Sequence, residues 1–358
     1  MNLKYKHGGG YKKAALEEGL NWKNVTDYST SINRKATEFY PENMIYLHQE
    51  NMEYPDKEYS ALKELIEDVH HIPYKYFLLT NGANEAISGL FHMFLLMEYN
   101  KEKSVVLVGS TYLEYEKHTR LNKFDCDYVG INDFTSNSND YSDKIVVIVN
   151  PNTPTGQYYP IKNQLEDILK QGAIVIIDES FIEFTDKPSI LELVPNYPNL
   201  YIIHSMTKFY GSPGARLGLL ISSNDMLNGL LKDLLPLWSI SAYDNWFYKK
   251  MIIQYKKIKK ETVKWIESVN LELEEILANS KNLKYPEKSI TNYHTLELST
   301  DFIEKQNIQD LQRYFLKTYN IYVRSTANFY GCSEYSFRVG LRLSEDNIAL
   351  FKALREIG

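Results

Sequence analysis

The chain has 358 residues, 44% hydrophobic and 24% charged, which is enough to bury a substantial core and too ordinary in composition for a disordered, collagen-like or membrane-bundle protein. Its 40 Lys and Arg against 46 Asp and Glu leave a formal charge of −6, whereas a nucleic-acid reader normally carries a basic excess. Cys126 and Cys332 lie far apart without CxxC spacing, no apolar run reaches bilayer length, and MNLKYKHGGGYKK lacks the apolar stretch of a signal peptide, so a reducing, cytoplasmic setting is expected.

In chain order, the first forty residues show no clear periodicity. Apolar spacing then predicts amphipathic helices over 60–70 and 84–98, followed by a short buried strand at 104–109 (SVVLVG). The polar run from Asp133 to Lys144 (DFTSNSNDYSDK) reads as a surface loop. Strands follow at 144–149 (KIVVIV), 173–177 (AIVII), 199–204 (NLYIIH) and 217–222 (LGLLIS), with a helix over 161–171 between the first two. β-Branched apolar runs alternating with helices demand a mostly parallel sheet covered on both faces, so the fold class is α/β. From about Leu227 the texture changes to Lys/Glu-rich helical stretches, with 255–275 the solvated face of a long helix, and then to shorter strands near 294–298 and 321–324. The change predicts a large domain over 41–240, a smaller α+β domain over 241–358, and an N-terminal segment, 1–40, packed on the smaller domain.

Ligands of open α/β sheets bind beyond the carboxyl ends of the strands, so polar residues that follow the apolar runs carry the functional signal. NPNTPTG (150–156), Asp178, and the segment from Ser205 through Lys208 to Arg216 stand in those places. A lysine among small hydroxyl residues fits a Schiff-base lysine whose amine attacks an aldehyde. Ser205 and Arg216 would supply a hydroxyl and a guanidinium fork for a phosphate. Asp178 either caps the following helix or sits under a pyridine nitrogen and keeps it protonated, strengthening the ring as an electron sink. The 8 histidines show no HExxH or other ligand spacing, the His70-His71 pair reads as the polar end of a helix, and no metal site is expected. Serines without a GxSxG context disfavour a serine hydrolase.

The run SMTKFYGSPGARLG (205–218) resembles the cofactor-lysine signature of the fold-type I pyridoxal-phosphate (PLP) enzymes of aminotransferase class I/II, and further motifs of that family follow in order along the chain. The resemblance implies that family's fold and PLP carried on Lys208. Asn81-Gly82-Ala83-Asn84 resembles the Gly-rich phosphate cradle at a helix start, which implies that Asn81, Gly82 and Ala83 hold the cofactor phosphate. Tyr112 falls where the family stacks an aromatic ring on the pyridine, Asp178 where a carboxylate meets the ring nitrogen, and Arg338 where a substrate carboxylate is held. The family usually has Asn directly before Pro-Thr-Gly to reach the cofactor's phenolic oxygen. Here Asn152 and Thr153 share that task between them as alternatives, and Phe181 stands where a second contributor to that oxygen is often Tyr.

A narrower resemblance covers nearly the whole chain. HGGG (7–10), DYSTSIN (27–33), EYPD (53–56), DESFIEF (178–184), PLWS (236–239) and VRSTAN (323–328) are similar to the threonine-phosphate decarboxylases of the cobalamin pathway, relatives of the histidinol-phosphate aminotransferases. It implies a small phosphorylated amino-acid substrate, with His7, Asn33 and Arg324 around its phosphate. It also implies a homodimer with shared active sites, in which Tyr54 crosses to the neighbour's cofactor phosphate. HGGG in place of HGGN and Ile32-Asn33-Arg34 in place of Ile-Asn-Pro depart from the pattern where the substrate tail is expected. Read from its residues alone, His7 could be a solvated terminal side chain and Arg324 a strand-end residue in a surface ion pair.

The activity expected is decarboxylation of O-phospho-L-serine or O-phospho-L-threonine to the aminoalkyl phosphate, with transamination of a histidinol-phosphate-like substrate as the alternative. Which bond at the α-carbon stands perpendicular to the cofactor plane decides between them: a carboxylate there leaves as carbon dioxide, and a C–H there gives transamination. A ligand sensor on the same fold would more often lack the lysine or carry a DNA-binding module. No nucleic-acid or membrane partner is expected.

Overall fold

In the computed structural model, which describes residues 8–42, 52–136 and 140–358, the apolar runs assemble into one seven-stranded sheet. Its strands are β2 (Phe77–Thr80), β3 (Ser104–Val108), β4 (Cys126–Val129), β5 (Lys144–Val149), β6 (Ile174–Asp178), β7 (Leu200–Ser205) and β8 (Gly218–Ile221), with β1 (Thr26–Asp27) outside it. The order across the sheet is β2-β8-β7-β6-β5-β3-β4, and every pairing is parallel except those of β8 with β7 and β2. Alternate residues of one strand serve opposite cores. Val106 and Val108 join Leu62 and Leu165, from the helices Ser60–His70 and Lys162–Lys170, on one face. Val105 and Leu107 join Ile87 and Tyr115, from the helices Ala83–Leu96 and Leu113–Leu121, on the other. This two-sided burial explains why the sequence runs apolar without alternation, and the α/β fold expected from that pattern is present.

Strands β9 (Leu283–Lys284), β10 (Tyr293–Leu298), β12 (Arg324–Ser325) and β13 (Ser336–Gly340) make a second sheet in the order β12-β13-β10-β9, antiparallel throughout. The strand expected at 321–324 is two strands: β11 (Ile321–Tyr322) pairs in parallel with β1, whereas β12 joins the second sheet. The N-terminal segment is thereby stitched beside the second sheet, and Gly340 donates to Tyr28 O at 2.7 Å. Part of the expected loop from Asp133 is helical, Ile131–Ser136, because Phe134 buries against Tyr141 with ring centroids 5.7 Å apart. His70 is likewise no surface residue: its Nδ1 lies 3.6 Å from the Glu183 carboxylate and its ring 5.4 Å from that of His204. Burial lowers its pKa to about 4, so it packs as a neutral ring. No helix among the described residues is long and apolar enough to cross a membrane.

Candidate active site

The carboxyl ends of β5, β6 and β7 open onto a cavity of about 200 Å³, closed on its other side by residues 29–31 and by arginines of the second sheet. Asp178, the last residue of β6, is 3% exposed at its floor. The Ser180 N–H donates to its Oδ1 at 2.9 Å and the Tyr115 hydroxyl to its Oδ2 at 3.0 Å. Burial pushes its carboxyl above the usual range, with these donors opposing, so a cation brought to its open side would be strongly favoured.

Lys208 follows β7 in the short helix Met206–Phe209. Burial lowers its amine to about 8, the Arg338 and Arg216 charges push the same way, and Asp178 opposes. Near pH 8 a large share of the amine is therefore neutral and nucleophilic, as an ordinary lysine is not. Covalent capture of pyridoxal phosphate by the apoprotein, followed at the visible absorption band, should accelerate with pH and level off above about 8. A rate still climbing at pH 10, or a pyridoxyl group mapped to another lysine after borohydride reduction, would contradict the assignment.

Anion-binding groups collect at one end. Ala83 and Asn84 line the cavity at the start of the helix Ala83–Leu96, facing Ser205, Thr207 and Arg216. Gly82 sits at φ +74°, and a Cβ there would fall 2.3 Å from Arg216 Nη2, so glycine is what lets the guanidinium lie against the helix start. The Ser205 and Thr207 hydroxyls are 2.9 Å apart. Helix N–H groups, two hydroxyls and a guanidinium fit a phosphate dianion. Tyr112 caps the helix Leu113–Leu121 and lines the same cavity, its hydroxyl raised to about 12 by burial and hydrogen-bonded to Asn84.

Two arginines of the second sheet also line the cavity. Arg324 of β12 is the direct cross-strand partner of Arg338 of β13, so both side chains emerge from one register position into the cavity. Arg338 donates through Nη1 to Thr153 Oγ1 at 2.9 Å and through Nη2 to Ser29 O at 3.3 Å, while its buried Nε has no hydrogen-bond partner among the described residues. Arg324 is 4% exposed, donates to Ser325 O and to Asn328 Oδ1, and rests 5.3 Å from the Phe329 ring centre. Burial lowers the Arg324 guanidinium to about 10, with Arg338 the next cause. Two buried like charges at one spot disfavour the cavity without anions and favour it strongly with them.

Several expected site residues are placed elsewhere. Asn152 is wholly buried and donates to Ser110 O at 2.6 Å, its Oδ1 accepting from Thr155, so of the two alternatives Thr153 faces the cavity and Asn152 braces the loop. Asn33 also turns away from the cavity. Its Nδ2 donates to Phe209 O at 2.8 Å and to Thr262 at 2.7 Å, and its N–H to Lys208 O at 3.1 Å, so it clamps the lysine helix. Asn81 spends its side chain on Ser239 O and its N–H on Glu85, holding the turn before the cradle. Tyr54 is 78% exposed and stacks on Trp238 at 4.3 Å, away from this chain's cavity. His7 lies outside the described residues. Asn84 lines the cavity at the end of the cradle motif, and Thr207, Tyr115 and Phe329 join the site without a signal of their own in the sequence. Tyr115 follows Tyr112 by one helical turn, a spacing that places both on one side of the helix.

Known proteins share this architecture. The histidinol-phosphate aminotransferase structure from Clostridium acetobutylicum superposes with a TM-score of 0.73 at 23% identity, covering 93% of this chain and 99% of the other. The threonine-phosphate decarboxylase of Salmonella typhimurium is 26% identical over 98% of this chain and 96% of its own length. The L-serine phosphate decarboxylase of Campylobacter jejuni is 28% identical over 86% of this chain and 80% of its own. The model of one family, aminotransferase class I and II, matches residues 23–352. A match over nearly the whole chain, with the lysine, aspartate and phosphate cradle gathered in one cavity, means that the protein belongs to the aminotransferase class I and II family, the PLP enzymes its sequence resembles.

Proposed function

We propose that the protein is a cytoplasmic, PLP-dependent decarboxylase of an O-phospho-L-amino acid, serine or threonine phosphate, releasing the aminoalkyl phosphate. The observation that carries this reading is the second buried arginine. One guanidinium suffices for an α-carboxylate, and Arg324 paired across from Arg338 supports a substrate with a second anion. The decarboxylase relatives lend the same support.

PLP, when bound, supplies an electron sink for the pair left at the α-carbon. The cavity's own groups divide the remaining work. Asp178, steadied by Tyr115 and Ser180, would hold the proton at the ring nitrogen; Ser205, Thr207, Arg216 and the helix start would hold the cofactor phosphate; Tyr112 would lie against the ring. Arg338 orients the substrate carboxylate through its open Nε, and Arg324 receives the substrate phosphate. Lys208, with its depressed pKa, is suited to return a proton to the α-carbon near neutral pH.

A panel of O-phospho-L-serine, O-phospho-L-threonine and, with 2-oxoglutarate, histidinol phosphate tests the reading: one or both phospho-amino acids should be consumed without any keto acid. Consumption of histidinol phosphate alone would move the protein to transamination. We place Tyr54, exposed beside Trp238, at the contact of a homodimer, reaching the cofactor phosphate of the second copy. A fully active monomer in sedimentation at assay concentration would contradict this.

A further inference from the structure

The residues that join β12 to β13, 326–335, cross from the second sheet to the far edge of the first. At the crossing, two successive side chains point opposite ways. Phe329 faces inward, 7% exposed on the cavity wall, and supports the Arg324 guanidinium 5.3 Å from its ring centre. Tyr330 faces outward and stacks on Tyr128 of the edge strand β4, with centroids 4.4 Å apart and planes 13° from parallel. Tyr128 is itself fixed: its hydroxyl donates to Glu116 Oε2 at 2.9 Å, and Glu116 is paired with Arg120 at 2.8 Å. The backbone is tied as well, since Ser110 Oγ donates to Tyr330 O at 2.6 Å and Ser110 O accepts from Asn152, which braces the loop carrying Thr153.

We propose that Tyr128 and Tyr330 form an aromatic clasp that fixes the substrate's phosphate site: by pinning the 326–335 loop to the edge strand, it holds Phe329 under Arg324 and so sets the preference for a phosphorylated over a free amino acid. Tyr128 and Tyr330 are positioning residues, acting through Phe329 and Arg324. The physical reason is that Ser325, Asn328 and Phe329, all on the strand and loop that the clasp holds, support the Arg324 guanidinium, so a shift of the loop shifts its aim. Arg338 is held by Thr153 and Ser29, neither of which lies in the 326–335 loop, so the clasp reaches it only at second hand, through Ser110 and Asn152. The clasp therefore acts chiefly on the distal anion.

This inference rests on the phosphorylated-substrate reading, and the test separates the two. Apparent affinities for O-phospho-L-serine and L-serine are read from the cofactor's visible absorption on mixing with holoenzyme, for wild type, Tyr330→Ala, Tyr128→Ala, the double variant and Tyr330→Phe. Either single alanine change should weaken phosphoserine binding about tenfold, the scale of an aromatic pair. L-serine binding and the resting cofactor spectrum should stay as in wild type. The double variant should be no worse than either single one, and Tyr330→Phe, which keeps the ring, should behave as wild type. If wild type shows no preference for phosphoserine, the substrate reading fails and the clasp with it. If wild type shows the preference and Tyr330→Ala keeps it, or loses serine and phosphoserine binding alike, the clasp alone is overturned.

Discussion

Arg324→Ala is expected to erase most of the enzyme's preference for O-phospho-L-serine or O-phospho-L-threonine over the free amino acid. In the intact cavity two guanidinia, cross-strand neighbours and nearly buried, repel each other, and burial together with that repulsion lowers the Arg324 pKa to about 10. A substrate with two anions relieves both. A substrate with one leaves a buried cationic pocket unfilled, a defect of about 2–5 kcal/mol by comparison with broken buried charge pairs. Wild type should therefore discriminate against serine by roughly 30-fold or more in kcat/KM. Removing the Arg324 guanidinium deletes both the attraction for phosphate and the penalty for its absence, so activity with phosphoserine falls while activity with serine holds or rises. An unchanged ratio of the two kcat/KM values would place the phosphate site elsewhere.

Asp178→Ala should keep the cofactor and lose turnover. The phosphate end of the cavity, with Arg216 against the helix start and the Ser205 and Thr207 hydroxyls, does not depend on Asp178, and Lys208 remains to bond the aldehyde. What disappears is the carboxylate that favours a proton on the ring nitrogen, and with it an electrostatic partner of the kind whose loss costs about 10²–10³ in kcat. Removing the carboxylate also strands the Tyr115 hydroxyl, whose acceptor is Asp178 Oδ2, although a water can occupy the space of the lost side chain. A variant that binds cofactor with near-wild-type turnover would exclude the role.

The parts of this account that the sequence exposes are those set by local chemistry. Strands β5, β6 and β7 are legible because both faces are buried, and the polar residues at their ends stand out against runs such as KIVVIV. Strand β4 is illegible for the opposite reason: it is an edge strand, CDYV, half-exposed along its length, and without burial on two faces it has no apolar signature. Strand β2, four residues directly after a 3₁₀ turn, is too short to show a period. Among the candidate site residues, side-chain type is legible in the sequence and orientation is not. Asn33 and Asn152 are polar, close in space to the chemistry and fully buried, yet each aims its amide at backbone carbonyls that only the folded chain supplies. Arg324 and Arg338 are fourteen positions apart in the chain, and only the β12–β13 register makes them neighbours.

The most direct measurement of the central claim is the fate of the carboxyl carbon. Holoenzyme incubated with carboxyl-labelled O-phospho-L-serine should release labelled carbon dioxide in a one-to-one ratio with ethanolamine phosphate, without an added keto acid. Retention of the label in a phosphorylated keto acid, formed only when 2-oxoglutarate is present, would contradict it.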